Sequence, residues 1–136
     1  MPAVEDAPYP KLLGIREESR ERGRVVVAID VDPDKHMNAM GLVHGGVLAS
    51  LVDSAAARAV ASLVGEARRM ATIELKVNYL RPSRGGTVRA EGRVIHAGTR
   101  IAVAEVDVTQ DGTLLAKGLA TYYLWRHQSY TLNNII

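Results

Sequence analysis

Residues 44–64 read His-Gly-Gly-Val-Leu-Ala-Ser-Leu-Val-Asp-Ser-Ala-Ala-Ala-Arg-Ala-Val-Ala-Ser-Leu-Val. From Val47 to Val64 there is no Gly or Pro, and Ala, Leu and Val dominate, a composition that predicts a helix of about 27 Å at 1.5 Å per residue. Gly65 ends it. The helix is apolar almost all round, so in a water-soluble protein it has to be enclosed on most sides.

The segments around it supply the enclosure. Arg24 to Asp32 is rich in β-branched residues and stops at Pro33, which predicts a first strand, followed by a loop from Pro33 to Gly46. After the helix, Thr72–Leu80, Thr87–His96, Arg100–Gln110 and Thr113–Leu124 each read as strands. Alternation is clearest in Ile73, Leu75, Val77 and Tyr79. Asp111-Gly112 joins the last two as a hairpin turn and Ala97 to Thr99 joins the two before, so these neighbours are antiparallel. The order is strand, helix, four strands: an α+β chain in which a long curved antiparallel sheet wraps one central helix. One sheet leaves a helix face and a sheet edge uncovered, which a second copy of the chain would cover, giving at least a homodimer.

The chain of 136 residues predicts one domain, with a flexible lead over 1–10, the domain over 11–125 and a tail over 126–136. Lys11 to Ile15 reads as a short turn or helix, and the charged stretch Glu17 to Gly23 carries no assigned element. Hydrophobic residues make up 47% and charged ones 24%, which suits a globular fold. The net charge of +2 is spread without a basic block, so nucleic acid is not an expected partner. With no cysteine, disulfides, thiolate metal sites and cysteine nucleophiles are excluded. The first ten residues lack an apolar signal region, and the long apolar stretch contains Asp53 and Arg58, so neither a signal peptide nor a membrane span is expected and the expected location is the cytoplasm.

Asp53 is the feature that most needs explaining, because burial penalises a charged carboxylate that lacks partners. Arg58 lies about 140° away around a helix and does not share its face. At the other end, His44-Gly45-Gly46 brings backbone N–H groups to the positive end of the helix dipole, a place suited to a developing oxyanion. Gly45 and Asp53 are separated by about 12 Å along the axis, so one reacting group meets both only if they come from different protomers. There is no Gly-x-Ser-x-Gly elbow, no His-Glu-x-x-His, no phosphate loop and no metal spacing among His36, His44, His96 and His127.

Asn38, Gly41-Leu42-Val43-His44-Gly45-Gly46, Leu51-Val52-Asp53-Ser54-Ala55 and Val77-Asn78-Tyr79-Leu80-Arg81-Pro82 together resemble the PaaI-like hotdog-fold acyl-CoA thioesterases over roughly residues 11–124. The resemblance implies the hotdog fold and hydrolysis of an acyl-CoA to free acid and CoA without a cofactor. In that pattern Asp53 is the nucleophile or general base, the Gly45 N–H polarises the thioester carbonyl, Asn38 positions the reaction, His44 supports it, and Thr72 helps hold the attacking water. CoA is expected against Tyr79, Leu80, Arg81, Pro82, Ser83 and Arg84 and against the turn of His96, Gly98, Thr99 and Arg100, with the arginines meeting its phosphates. Family members commonly pair two dimers into a tetramer. Two rival readings use the same fold: an acyl-thioester hydratase or dehydratase that uses His44, and an acyl-CoA-binding protein without chemistry.

Overall fold

The computed structural model describes residues 6–126. Its elements are α1 (Pro8–Leu13), β1 (Arg16–Glu21), β2 (Arg24–Asp30), α2 (Gly45–Val64), β3 (Arg68–Tyr79), β4 (Thr87–Ala97), β5 (Ile101–Gln110) and β6 (Thr113–Arg126). The strands form one sheet in the order β1-β2-β4-β5-β6-β3, every neighbour antiparallel. This is the α+β arrangement expected, one long curved sheet around a central helix.

Residues Val47, Leu48, Leu51, Val52, Ala55, Ala56, Ala59 and Val60 of α2 are buried, a stripe at intervals of one and three residues that marks a single helix face. They meet the inner sheet residues Val25, Val27, Ala90, Val106 and Ala120. The opposite face, with Ala49, Ser50, Asp53, Ser54 and Ala57, is only half-buried. By length and composition α2 alone would pass as a membrane-crossing helix; here one side is taken up by the sheet.

The sheet approaches α2 closely because glycines stand where the contact is tightest. Gly92 of β4 and Gly118 of β6 flank Val106 in one row across the sheet. A Cβ on Gly92 would lie 2.5 Å from the Ala55 carbonyl oxygen, and one on Gly118 would lie 2.4 Å from a Val52 methyl. Glycine inside a strand marks such an approach of one backbone to another element.

Two expectations are corrected. The charged stretch 17–23 is mostly strand β1, turned into β2 at Gly23, which has a positive φ of 82°. Its alternation is invisible in apolar residues because it is an edge strand held by ion pairs: Arg16 to Asp30 at 2.8 Å, Arg20 to Glu17 at 2.7 Å and Arg89 to Glu18 at 2.6 Å. Charge on an edge also blocks unwanted pairing. Within β3, the register shifts between Thr72 and Glu74. This bulge resets the alternation, so Thr72 rather than Ile73 shares the inner face with Leu75, Val77 and Tyr79: Thr72 stands opposite the buried Tyr122 and Leu75 opposite the buried Ala120. At the amino end, α1 begins at Pro8, inside the stretch 1–10 expected as a lead. At the other end, Arg126 closes β6, and the rest of the tail lies outside the described residues.

Gly92→Ala is expected to lower stability by about 1–3 kcal/mol, the cost of forcing a methyl into a close-packed contact, read as a lower urea midpoint with an unchanged slope.

Candidate active site

Asp53 sits on the half-buried face of α2, and two hydroxyls converge on one of its oxygens. Thr72 Oγ1 donates to Asp53 Oδ1 at 2.9 Å, and Tyr122 Oη donates to the same oxygen at 2.7 Å while lying 3.0 Å from the Asp53 backbone oxygen. The bulge in β3 turns Thr72 inward, and alternation in β6 turns Tyr122 inward, with 1% of its surface exposed. Burial first, then the charge of Asp53 and the hydrogen bond to it, push the Tyr122 phenol well above the usual range, so it stays a proton donor. Arg58 is not among the hydrogen-bond partners of Asp53, as the helix geometry required, although both line one cavity of about 410 Å³. Ala7, Tyr9 and Pro10 wall that cavity on the α1 side, and the Tyr9 hydroxyl lies 2.9 Å from Ser50 Oγ.

Tyr122 escaped the sequence reading. The signal that would have found it is parity: it shares a face with Ala116, Gly118, Ala120 and Leu124, and a tyrosine turned into a core needs an acceptor for its hydroxyl.

The second group of residues assembles at the start of α2. His44 is the N-cap, its Nδ1 accepting the Gly46 N–H at 2.8 Å. Its ring is thus a structural hydrogen-bonder, and among the described residues no carboxylate bonds to it, which a hydratase reading would need. The Gly45 N–H has no acceptor among the described residues, as befits the first residue of a helix. Asn38 Oδ1 accepts the N–H groups of Met40 at 2.9 Å and Leu42 at 3.0 Å. Those two donors identify the oxygen, and the amide NH₂ has no acceptor among the described residues. The Tyr79 hydroxyl donates to the Gly45 carbonyl at 2.7 Å, and its ring packs so closely that a Cβ on Gly45 would meet it at 3.3 Å. Asn38, Gly45, Tyr79, Leu80, Arg81, Pro82 and Ser83 line one cavity of about 310 Å³.

The residues expected against CoA fall into two groups that the fold holds apart. Tyr79 to Ser83 border the Gly45 cavity, with Arg84 exposed beside them. Arg81 donates to the Leu114 carbonyl at 2.9 Å, and the buried Ser83 spends its hydroxyl on Gln110 Oε1 at 2.6 Å. His96 lies near the end of β4 and Gly98, Thr99 and Arg100 in the β4–β5 turn, where Thr99 and Arg100 line a third cavity of about 430 Å³ with Arg68, Tyr123 and Trp125. Arg68 and Tyr79 are the two ends of β3, about 36 Å apart at 3.3 Å per residue. Among the described residues no group of three or more His, Asp or Glu is placed to hold a metal ion.

The sequence matches the family described as Thioesterase superfamily over residues 40–117, more than half of the chain. It is 33% identical over 130 residues to the medium/long-chain acyl-CoA thioesterase YigI of Salmonella typhimurium, covering 85% of this chain and 84% of that protein. Among solved structures, the conserved protein PA5202 of Pseudomonas aeruginosa superposes with a TM-score of 0.85 at 35% identity, covering 90% of this chain and 97% of that one. A mutant of the phenylacetic acid degradation protein PaaI from Thermus thermophilus superposes with a TM-score of 0.79 at 30% identity, covering 86% and 98%.

Replacing His44 by Ala is expected to cost about 1 kcal/mol in urea denaturation, the usual value of an N-cap, and His44→Asn to recover most of it, because Asn also caps.

Proposed function

As a member of the thioesterase superfamily this chain is a thioester hydrolase, and we propose that it hydrolyses acyl-CoA to free acid and CoA at sites shared between two copies of the chain. The Gly45 N–H of one protomer polarises the thioester carbonyl, with Asn38 beside it. Asp53 of the other protomer either attacks the carbonyl carbon or takes a proton from the attacking water. If Asp53 attacks, its C–O bond forms as the C–S bond breaks, and water then hydrolyses the resulting mixed anhydride to the free acid and restores Asp53; if Asp53 acts as base, the water oxygen bonds the carbonyl carbon directly as the C–S bond breaks. In both routes the proton given up by water ends on the thiolate, and CoA leaves as the thiol. No metal or organic cofactor takes part.

The observation that carries this reading is the fixed Asp53 carboxylate in an open cavity, with a free backbone N–H in a second cavity of the same chain. Eight helix residues, about 12 Å, separate the two. The two halves sit toward opposite ends of β3: Met70 and Thr72 belong to the Asp53 cavity, Tyr79 to the Gly45 cavity.

Strand β3 is an edge of the sheet, twelve residues long, with Ile73, Leu75 and Tyr79 exposed at 56%, 38% and 52%. A long unpaired edge with apolar side chains exposed along it calls for a partner. Pairing two β3 edges antiparallel brings the Asp53 end of one chain to the Gly45 end of the other. The same pairing brings the 96–100 turn of one chain toward residues 79–84 of its partner, so both expected CoA segments serve one substrate. It also covers the half-buried face of α2. Two such dimers pairing again would give the tetramer that the family resemblance implies.

Asp53→Asn keeps an oxygen to accept from Thr72 and Tyr122 but removes the base. We expect kcat for thiol release from acyl-CoA to fall by about 10²- to 10⁴-fold, with the circular dichroism spectrum and the dimer mass in light scattering unchanged. Hydrolysis at the original rate by the folded variant would overturn the assignment.

A further inference from the structure

We infer that Tyr122 is a positioning residue for the Asp53 carboxylate, and that its hydroxyl, together with that of Thr72, fixes Oδ1 and makes Oδ2 the reacting oxygen. This rests on the reading of Asp53 given above and goes beyond it by naming the group that aims the carboxylate and the atom that reacts.

A carboxylate oxygen accepting two O–H donors has its in-plane lone pairs occupied. Asp53 Oδ1 is in that state, with donors at 2.9 Å and 2.7 Å, while Oδ2 has no hydrogen-bond partner among the described residues. The two donors differ in character. Thr72 is exposed, on the bulged edge strand β3. Tyr122 is fully enclosed on β6, one strand further into the sheet, and packs within the core cluster with Leu124 and Ala120. Its hydroxyl also lies 3.0 Å from the backbone oxygen of Asp53, so a rigid ring touches both the main chain and the side chain of one residue. That contact restricts the Asp53 rotamer from the sheet side, where the enclosed Tyr122 ring borders the Asp53 cavity.

Burial of Tyr122 also assigns its direction of donation. A phenol this enclosed beside a negative carboxylate keeps its proton, so it gives a hydrogen bond and takes no part as a base. The bond holds Oδ1 as an acceptor and turns Oδ2 toward the cavity that Asp53 lines. Thr72 correspondingly spends its proton on Asp53 in this structure, so its expected part in holding water passes through the carboxylate it orients. Tyr122 and Asn38 both lie outside the span 40–117 matched by the family.

The test compares Tyr122→Phe, Thr72→Ala, Thr72→Ser and Asp53→Asn in the full chain, by steady-state thiol release from a medium-chain acyl-CoA and by urea denaturation. For Tyr122→Phe, which keeps the ring in the core, kcat is expected to fall about ten-fold or more, the loss typical of one hydrogen bond to a charged group. KM should change less than about two-fold, so that the loss falls on kcat. A merely structural role would instead lower the urea midpoint and leave kcat of the folded enzyme in place. Unchanged kcat in folded Tyr122→Phe, with Asp53→Asn inactive, would overturn this inference alone; an active Asp53→Asn would overturn the underlying reading of the site. If Tyr122→Phe does not fold, the exposed Thr72 decides: kcat lowered in Thr72→Ala and recovered in Thr72→Ser supports anchoring at Oδ1, and an unaltered kcat in Thr72→Ala overturns it.

Discussion

The apolar helix α2 has to be enclosed, and the sheet reaches only the face made by Val47, Leu48, Leu51, Val52, Ala55, Ala56, Ala59 and Val60. Gly92 and Gly118 set how near the sheet can come, since any side chain there would strike Ala55 or Val52. The rest of the molecule follows from that seating. The remaining face of α2, small and half-buried, is where the sequence puts Asp53, and at the start of α2 the Gly45 N–H has no acceptor among the described residues. A second copy that covered this face would remove apolar surface from water and complete the chemistry in one event.

The same seating explains how a carboxylate is tolerated on so apolar a helix. Burial of Asp53 is partial, and the two hydroxyls on Oδ1 replace the water it has lost. Both donors depend on the sheet: Tyr122 on the parity of β6, Thr72 on the bulge that brings it to the inner face of β3. The bulge lies beside Asp53, and such irregularities often re-aim a side chain in this way. Without it, Thr72 would point away from α2, and Asp53 would rely on Tyr122 alone.

Much of this was legible in the sequence. The helix and its stop at Gly65, the strands after it and the separation of Gly45 from Asp53 follow from composition, periodicity and a fixed helical rise. What escaped has a physical reason in each case. Strand β1 holds five charged residues and Ser19, so it has no apolar period; its partners are Asp30 and Arg89, residues distant in sequence. The bulge at Ile73 is a property of how β3 pairs with β6, and the apolar alternation of Ile73, Leu75, Val77 and Tyr79 hides it. Gly92 and Gly118 look like ordinary weak points in strands until α2 is laid across them. Tyr122 stands beside Tyr123 in the sequence, and only the sheet separates the inward ring from the outward one, which stacks on Trp125.

Subunit mixing reads out whether the N–H and the carboxylate of each site come from different protomers. Gly45 is the first residue of α2 and His44 before it is extended, with φ −62° and ψ 137°. Gly45→Pro therefore removes the N–H at a position where proline is tolerated, and Tyr79, half exposed, can yield to the added ring. Gly45→Pro and Asp53→Asn, each inactive alone, are unfolded together and refolded as mixed dimers. In a mixed dimer one site has both groups damaged and the other has both intact, so thiol release should return to about half of the unmodified rate per mixed dimer. Mixed dimers as inactive as the two parents would contradict the account, since that result requires Gly45 and Asp53 to act within one chain.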